Sequence, residues 1–192
     1  MSALTRVGSA KWNDVLDQWR ESEANYGDEK GWRERGFKSW DQWRMTHAVP
    51  LRLPHLSWTE YVVRRDPREF AGLLWAGDHD GWAQYWPART QEARFAQIAQ
   101  HPDLPEDDKV KALLEDFPAE TSIMLLHFAV ELIVFDGMHR CAALALMRKL
   151  NLPVDTQLRV FVADYSVQDK AIFHAFKRLG ASRELMGAGI GC

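Results

Sequence analysis

Residues 131–150 read ELIVFDGMHRCAALALMRKL, and the fold turns on this stretch. Glu131–Phe135 is an apolar run of strand length, which Asp136–Gly137 then breaks. From His139 to Leu150 the spacing predicts a helix, with Ala143, Leu144, Met147 and Leu150 on one broad apolar face. A strand that feeds a helix through a glycine leaves backbone N–H groups pointing outward at the helix start. Those groups and the helix dipole favour an anion, most often a phosphate. Gly137 allows close backbone approach. His139 and Arg140 add donors in the same first turn, and the guanidinium fork suits phosphate oxygens. Basic groups at a helix N-terminus are unfavourable unless an anion compensates them. The competing reading is structural: Asp136 pairs with Arg140 and caps the helix.

Outward from this junction, Ser122–His127 reads as a second apolar strand paired centrally with Glu131–Phe135, although one buried helix would have the same periodicity. Gln157–Ala163 alternates Leu158, Val160 and Val162 with polar neighbours, so a third strand is expected there. Asn151 and Pro153 end the intervening helix. An amphipathic helix over Val167–Leu179 precedes a glycine-rich tail expected to be loose. Upstream, Trp12, Val15, Leu16 and Trp19 lie at helical spacing within 11–26, and Gly27, Gly31 and Gly36 punctuate a loop. Ser39 is a candidate N-cap, with Gln42 in the capping-box position, for a helix that stops before Pro50. A strand is expected over 58–63 and a helix from Pro67 to Leu74. A loop follows over residues 75–87, then helices at about 90–100 and 106–115, the second opening on Glu106, Asp107 and Asp108. The expected class is α+β, a small mixed sheet with flanking helices. Residues 1–50 form a helical N-terminal extension, 51–165 the core, and 166–192 a C-terminal helix and tail.

Composition narrows the function classes. The 192 residues are 46% apolar and 27% charged, which suits a folded domain and excludes a disordered chain. The net charge of −3 supplies no field for nucleic acid or an anionic membrane, so neither is an expected partner. Within 101–120, seven acids against two bases read as a solvated helix. Two cysteines, Cys141 and Cys192, allow at most one bridge, and the start carries no secretion signal, so a cytoplasmic, reducing setting is expected. The longest apolar stretch, Ile123–Phe135, is broken by His127 and Glu131 and is too short to span a bilayer. All nine tryptophans fall within the first 86 residues. Either they pack a helical layer onto the core, which is what buried aromatics commonly do, or they wall a ligand pocket.

The run F-D-G-M-H-R followed by a small-residue helix resembles the signature loop of the ParB/sulfiredoxin-like superfamily. Sulfiredoxins carry a similar F-G-G-C-H-R and ParB-type proteins a G-x-x-R at the same junction. The pattern D-G-x-H-R is closest to the free serine kinases of this superfamily, which use ATP or ADP as phosphoryl donor. The resemblance covers about residues 121–164, where the order strand, strand, loop, helix, strand also agrees. Two branches fit poorly. Sulfiredoxin chemistry needs a thiol where this chain has Met138, and a thioether cannot replace it. A ParB-type helix-turn-helix has too little room in the 28 residues after Asp164.

What the resemblance implies is nucleotide binding, with ATP or ADP and Mg²⁺ as cofactors and a small hydroxylated metabolite as phosphoacceptor. Gly137, Met138 through its N–H, His139 and Arg140 would form the phosphate clamp. Asp136 would hold Mg²⁺ or accept a proton. A second catalytic acid is sought in Glu60, Asp78 or Asp80, and Trp82 with Asp80 in the 77–86 loop would contact the substrate. His79 between two aspartates suggests a metal, but a solvated loop is the expected setting. The alternative function is a non-catalytic nucleotide-binding sensor.

Overall fold

In the computed structural model, residues 3–25, 31–79 and 81–178 are described, and they form eight helices and a six-stranded mixed sheet. The chain opens with strand β1 (Leu4–Ala10), then helices α1 (Trp12–Asn25), α2 (Gly31–Glu34) and α3 (Trp40–Ala48). Strand β2 (Ser57–Val63), helix α4 (Pro67–Leu73) and the two-residue strand β3 (Trp75–Ala76) follow. Next come α5 (Phe95–Ile98), α6 (Asp108–Glu115), β4 (Glu120–Phe128) and β5 (Glu131–Asp136). The chain continues through α7 (Met138–Lys149), β6 (Gln157–Asp164) and α8 (Lys170–Lys177). The spatial strand order is β1-β2-β6-β4-β5-β3. β4 runs parallel to β6 and antiparallel to β5, and β3 lies parallel to β5.

The apolar runs of β4 and β5 do not alternate with polar residues because both sheet faces are buried. Ile123 and Leu125 of β4, Val134 of β5, and Leu158, Val160 and Val162 of β6 face one core, covered by α4 to α7. Met124, Leu126, Ile133, Phe135, Phe161 and Ala163 face a second core. That one is covered by Val15 and Trp19 of α1, Trp40 and Trp43 of α3, and Phe173 and Phe176 of α8. Six tryptophans are buried (Trp19, Trp40, Trp43, Trp58, Trp82 and Trp86), so packing is the main work of this residue type here.

The expected central strands, the α7 helix and the helices opening at Ser39 and Pro67 are all present. Ser39 Oγ accepts from Gln42 N–H at 3.1 Å, but the Gln42 side chain accepts from Lys38 N–H rather than from Ser39, so the capping box is offset by one residue. Several expectations are corrected. Residues 4–10 form an edge strand paired with β2, so the N-terminal segment enters the sheet. The helix expected over about 90–100 is only Phe95–Ile98, and the 75–87 loop begins with β3. The helix expected from Val167 begins as a 3₁₀ turn before α8, and Leu179, the tail, Cys192 and Gly27 lie outside the described residues. No described helix is long and apolar enough to cross a membrane.

Docking of α8 is tested by Phe173→Ala. Phe173 is fully buried, and loss of a core phenyl ring costs about 3–5 kcal/mol. Urea denaturation should show that loss. A change under about 1 kcal/mol would mean that α8 does not seal the second core.

Candidate functional site

Where β5 ends, its last side chains are already committed: Phe135 inserts into the second core and Val134 into the first. The chain must then turn within one residue to start α7. Gly137 does so at φ +98°, a left-handed conformation that L side chains rarely adopt. A Cβ there would lie 2.5 Å from Ile123 Cγ2, so sheet and turn are in close contact. Gly137 is the N-cap of α7 and supplies no side-chain cap. Asp136 therefore does not cap this helix. Its other structural role is present: Arg140 Nη2 donates to Asp136 Oδ2 at 2.5 Å, one helical turn apart.

This turn forms one wall of a cavity of about 430 Å³, within the range of small-molecule sites. Both helical layers contribute. From the second core's layer come Trp19 and Glu23 of α1 and Trp43, Arg44 and His47 of α3; from the first core's side come Trp82 and Lys109. Among the described residues the lining carries four cations, Arg35, Arg44, Lys109 and Arg140, and three carboxylates, Glu23, Asp78 and Asp136.

The wall opposite the turn is built on an unusual helix stripe. Val15, Trp19 and Glu23 are spaced four apart on α1 and all three are buried. Glu23 is held there by Trp40 Nε1–H, which donates at 2.6 Å, and by Arg44 Nε–H, which donates at 2.9 Å. A second Arg44 nitrogen, Nη2, pairs with the other Glu23 oxygen. The guanidinium lies 3.6 Å over the Trp43 ring and 5.1 Å from that of Trp19. Burial pushes the Glu23 carboxyl above its usual range and the Asp136 charge adds to the rise, while Arg44 opposes it.

The segment before Trp82 is anchored by α8. Asp78 N–H donates to the Phe176 carbonyl at 2.8 Å, and a Cβ on Gly77 would lie 2.5 Å from the Phe176 ring. His79 is thereby held against Phe176 and Phe135, with ring centroids at 5.3 and 6.3 Å. It is not in a solvated loop. Although the residue is partly exposed, its Nε2 is sealed from solvent with no hydrogen-bond partner. Burial lowers its pKa to about 4. Trp19 Nε1–H, in the same cavity wall, is likewise buried without an acceptor. Such orphaned groups are rare in native proteins.

The sequence-derived candidates divide clearly. Asp136, Gly137, Met138, His139, Arg140, Asp78, His79 and Trp82 all line this cavity. Trp82 stacks edge-on to His139 at 5.0 Å, and His139 Nε2 lies 3.9 Å from Asp107, the N-cap of α6. Glu60 does not line the cavity: its carboxylate sits on β2, bound to Arg159 at 2.6 Å. Asp80 lies outside the described residues. Cys141 faces the first core, fully buried, and burial pushes its thiol up to about 12, which removes it as a nucleophile. Sequence reasoning missed Glu23, Arg35, Arg44, His47 and Lys109. No protein-family model matches the chain, and no curated protein or solved structure matches it.

His79 makes a pH prediction. Its folded pKa of about 4 lies below the ordinary 6.5, so between those values the unfolded chain binds a proton that the folded chain does not. Stability from this residue is full above pH 6.5, falls as pH drops towards 4, and levels off below. Chemical denaturation across pH 7 to 3.5 should give wild type a steeper acid loss than His79→Phe, by up to about 1.4 kcal/mol per pH unit. Parallel curves would contradict the buried, neutral imidazole.

Proposed function

We infer that this chain is an ATP- or ADP-dependent phosphotransferase acting on a small hydroxylated metabolite, with the nucleotide's phosphates at the Asp136–Arg140 turn. The carrying observation is that this glycine turn and helix start open on the same cavity as Arg35, Arg44 and Lys109. Positive groups around a helix N-terminus suit a polyanion. The order β4, β5, turn, α7, β6 supports a ParB/sulfiredoxin-like core. Trp19, Trp43 and Trp82 supply flat apolar walls for the nucleotide or its acceptor.

Catalysis of phosphoryl transfer is chiefly positioning and charge stabilisation. Arg140 grips phosphate oxygens while its ion pair with Asp136 fixes its direction. Gly137 lets backbone and phosphate approach closely. Asp136, on the cavity wall beside the clamp, suits Mg²⁺, which takes one or two carboxylates together with phosphate oxygens and water. Among the described residues no group of three or more His, Cys, Asp or Glu could cage a metal, and a phosphate-borne Mg²⁺ needs none. When bound, Mg²⁺ neutralises charge on the transferring phosphates.

The second reading, a nucleotide sensor without turnover, is favoured by one observation: the Asp136 carboxylate is already engaged by Arg140. Single-turnover assay with labelled ATP separates the two, since a sensor binds without forming ADP.

Two substitutions test the site. Arg140→Lys keeps a cation for Asp136 but loses the fork, so calorimetry should show ATP affinity falling at least about tenfold. Arg140→Ala is the poorer probe, because a part-buried carboxylate left without its partner costs up to about 3–5 kcal/mol of stability. Asp136→Asn should keep nucleotide affinity and lower turnover by roughly 10²-fold, the scale for loss of an essential acid group. Full turnover in that variant would remove Asp136 from the chemistry.

A further inference from the structure

The wall opposite the turn carries more hydrogen-bond donors than acceptors. Arg44 is fixed there by one edge and one face: Nε and Nη2 are taken by the two oxygens of Glu23, and the guanidinium lies 3.6 Å over the Trp43 ring. This pairing leaves Nη1, whose two hydrogens meet no acceptor among the described residues. The Arg44 side chain is only 14% exposed and lines the cavity.

Arg35 reaches the same indole from the residue after α2, with its guanidinium carbon 4.9 Å from the Trp43 ring centre. Its Nη1 donates back to the Gly31 carbonyl at 2.9 Å. Its Nε and Nη2 meet no acceptor, and no carboxylate pairs with it, among the described residues. Glu23 balances the charge of Arg44, so Arg35 is a cation in excess on this wall. Ser22, next to Glu23 on α1, is 8% exposed and lines the same cavity. Its hydroxyl has no hydrogen-bond partner among the described residues, although interior hydroxyls ordinarily find one.

The donors left over select the chemistry of their ligand. A planar carboxylate offers two oxygens and is matched by one guanidinium fork, and Glu23 already occupies that edge of Arg44. The remaining N–H groups of Arg35 and Arg44 and the Ser22 hydroxyl come from three separate segments of chain. They suit a tetrahedral group with three terminal oxygens and a negative charge for Arg35 to answer. We propose that Ser22, Arg35 and Arg44 form a second phosphate subsite, which holds a phosphate of the acceptor: the substrate is a hydroxylated phosphomonoester, such as a sugar phosphate or polyol phosphate. Naming the occupant as the acceptor rests on the transfer reading above, while the subsite itself does not. The acceptor's phosphate anchors at this wall and its hydroxyl is directed across the cavity to the turn. Glu23 is a positioning residue that acts through Arg44.

The test is calorimetry on the full chain with glycerol phosphate and ribose phosphate, each against its unphosphorylated parent, with and without a saturating non-hydrolysable ATP analogue. Each phosphomonoester should bind at least about tenfold more tightly than its parent, whether or not the analogue is present. Arg35 is exposed, so Arg35→Gln spares the fold. That variant should lower phosphomonoester affinity at least about tenfold and keep analogue affinity within about twofold of wild type. Ser22→Ala should lower phosphomonoester affinity about threefold or more. Competition between analogue and phosphomonoester, or an equal loss of analogue affinity in Arg35→Gln, would give this wall to the nucleotide's own phosphates. Either result overturns the subsite and leaves the nucleotide reading standing. The subsite is also overturned by parents that bind as tightly as their phosphates, by a wild type that binds neither phosphomonoester, or by wild-type phosphomonoester affinity in Arg35→Gln or Ser22→Ala. Phosphomonoester binding lost in Arg35→Gln, with no binding of the analogue to wild type, keeps the subsite and overturns the transfer reading.

Discussion

The central strands of the sheet are buried on both faces, and the rest of the molecule follows from that constraint. Ile133 and Phe135 point into one core while Val134 points into the other, so two separate helical layers must cover β5. Residues of both layers meet around the point where β5 stops and Gly137 turns the chain. The cavity is the space left there, with Trp19, Glu23 and Arg44 on one side and Trp82 and Lys109 on the other. The site is therefore a product of the architecture and not of one motif.

The central part of this arrangement was legible because its signals are local. The apolar run of Glu131–Phe135, the Asp136–Gly137 break and the helix face after it all lie within 20 residues. β1 was missed because most of its side chains are exposed, so edge pairing with β2 leaves little hydrophobic pattern. β3, only two residues long, has no period to read. His79 was misjudged for a different reason. Flanking aspartates suggested solvent, whereas its surroundings are set by Phe176, almost 100 residues later in the chain.

The opposite wall of the cavity carried a signal that could have been read. Glu23 continues the stripe Val15, Trp19 at the next helical turn, and an acid on an apolar stripe demands a partner. Arg44 stands one turn after Trp40, whose indole shares the same carboxylate. What no local pattern could supply is that α1 and α3 meet across this pair, next to a turn more than 90 residues downstream. The tryptophans illustrate the same limit. Packing and pocket were posed as alternatives, yet Trp19, Trp43 and Trp82 are both buried and part of the cavity wall.

The strand order also bears on how the chain assembles. β4 and β5 are joined by a two-residue turn, and β6 arrives after a single helix, so these contacts close short loops. β2, in contrast, pairs with β6 across about 100 residues, through partners such as Trp58 and Ala163, and β1 can join only through β2. Loop-closure entropy places the C-terminal half first in the order of assembly and the tryptophan-bearing half after it. On a ribosome the early half emerges with its large aromatic surfaces before the strands that will cover them exist. The long-range β2–β6 register is thus a kinetic liability as well as a structural join, and tryptophan-rich early segments are where a chaperone would find its exposed surface.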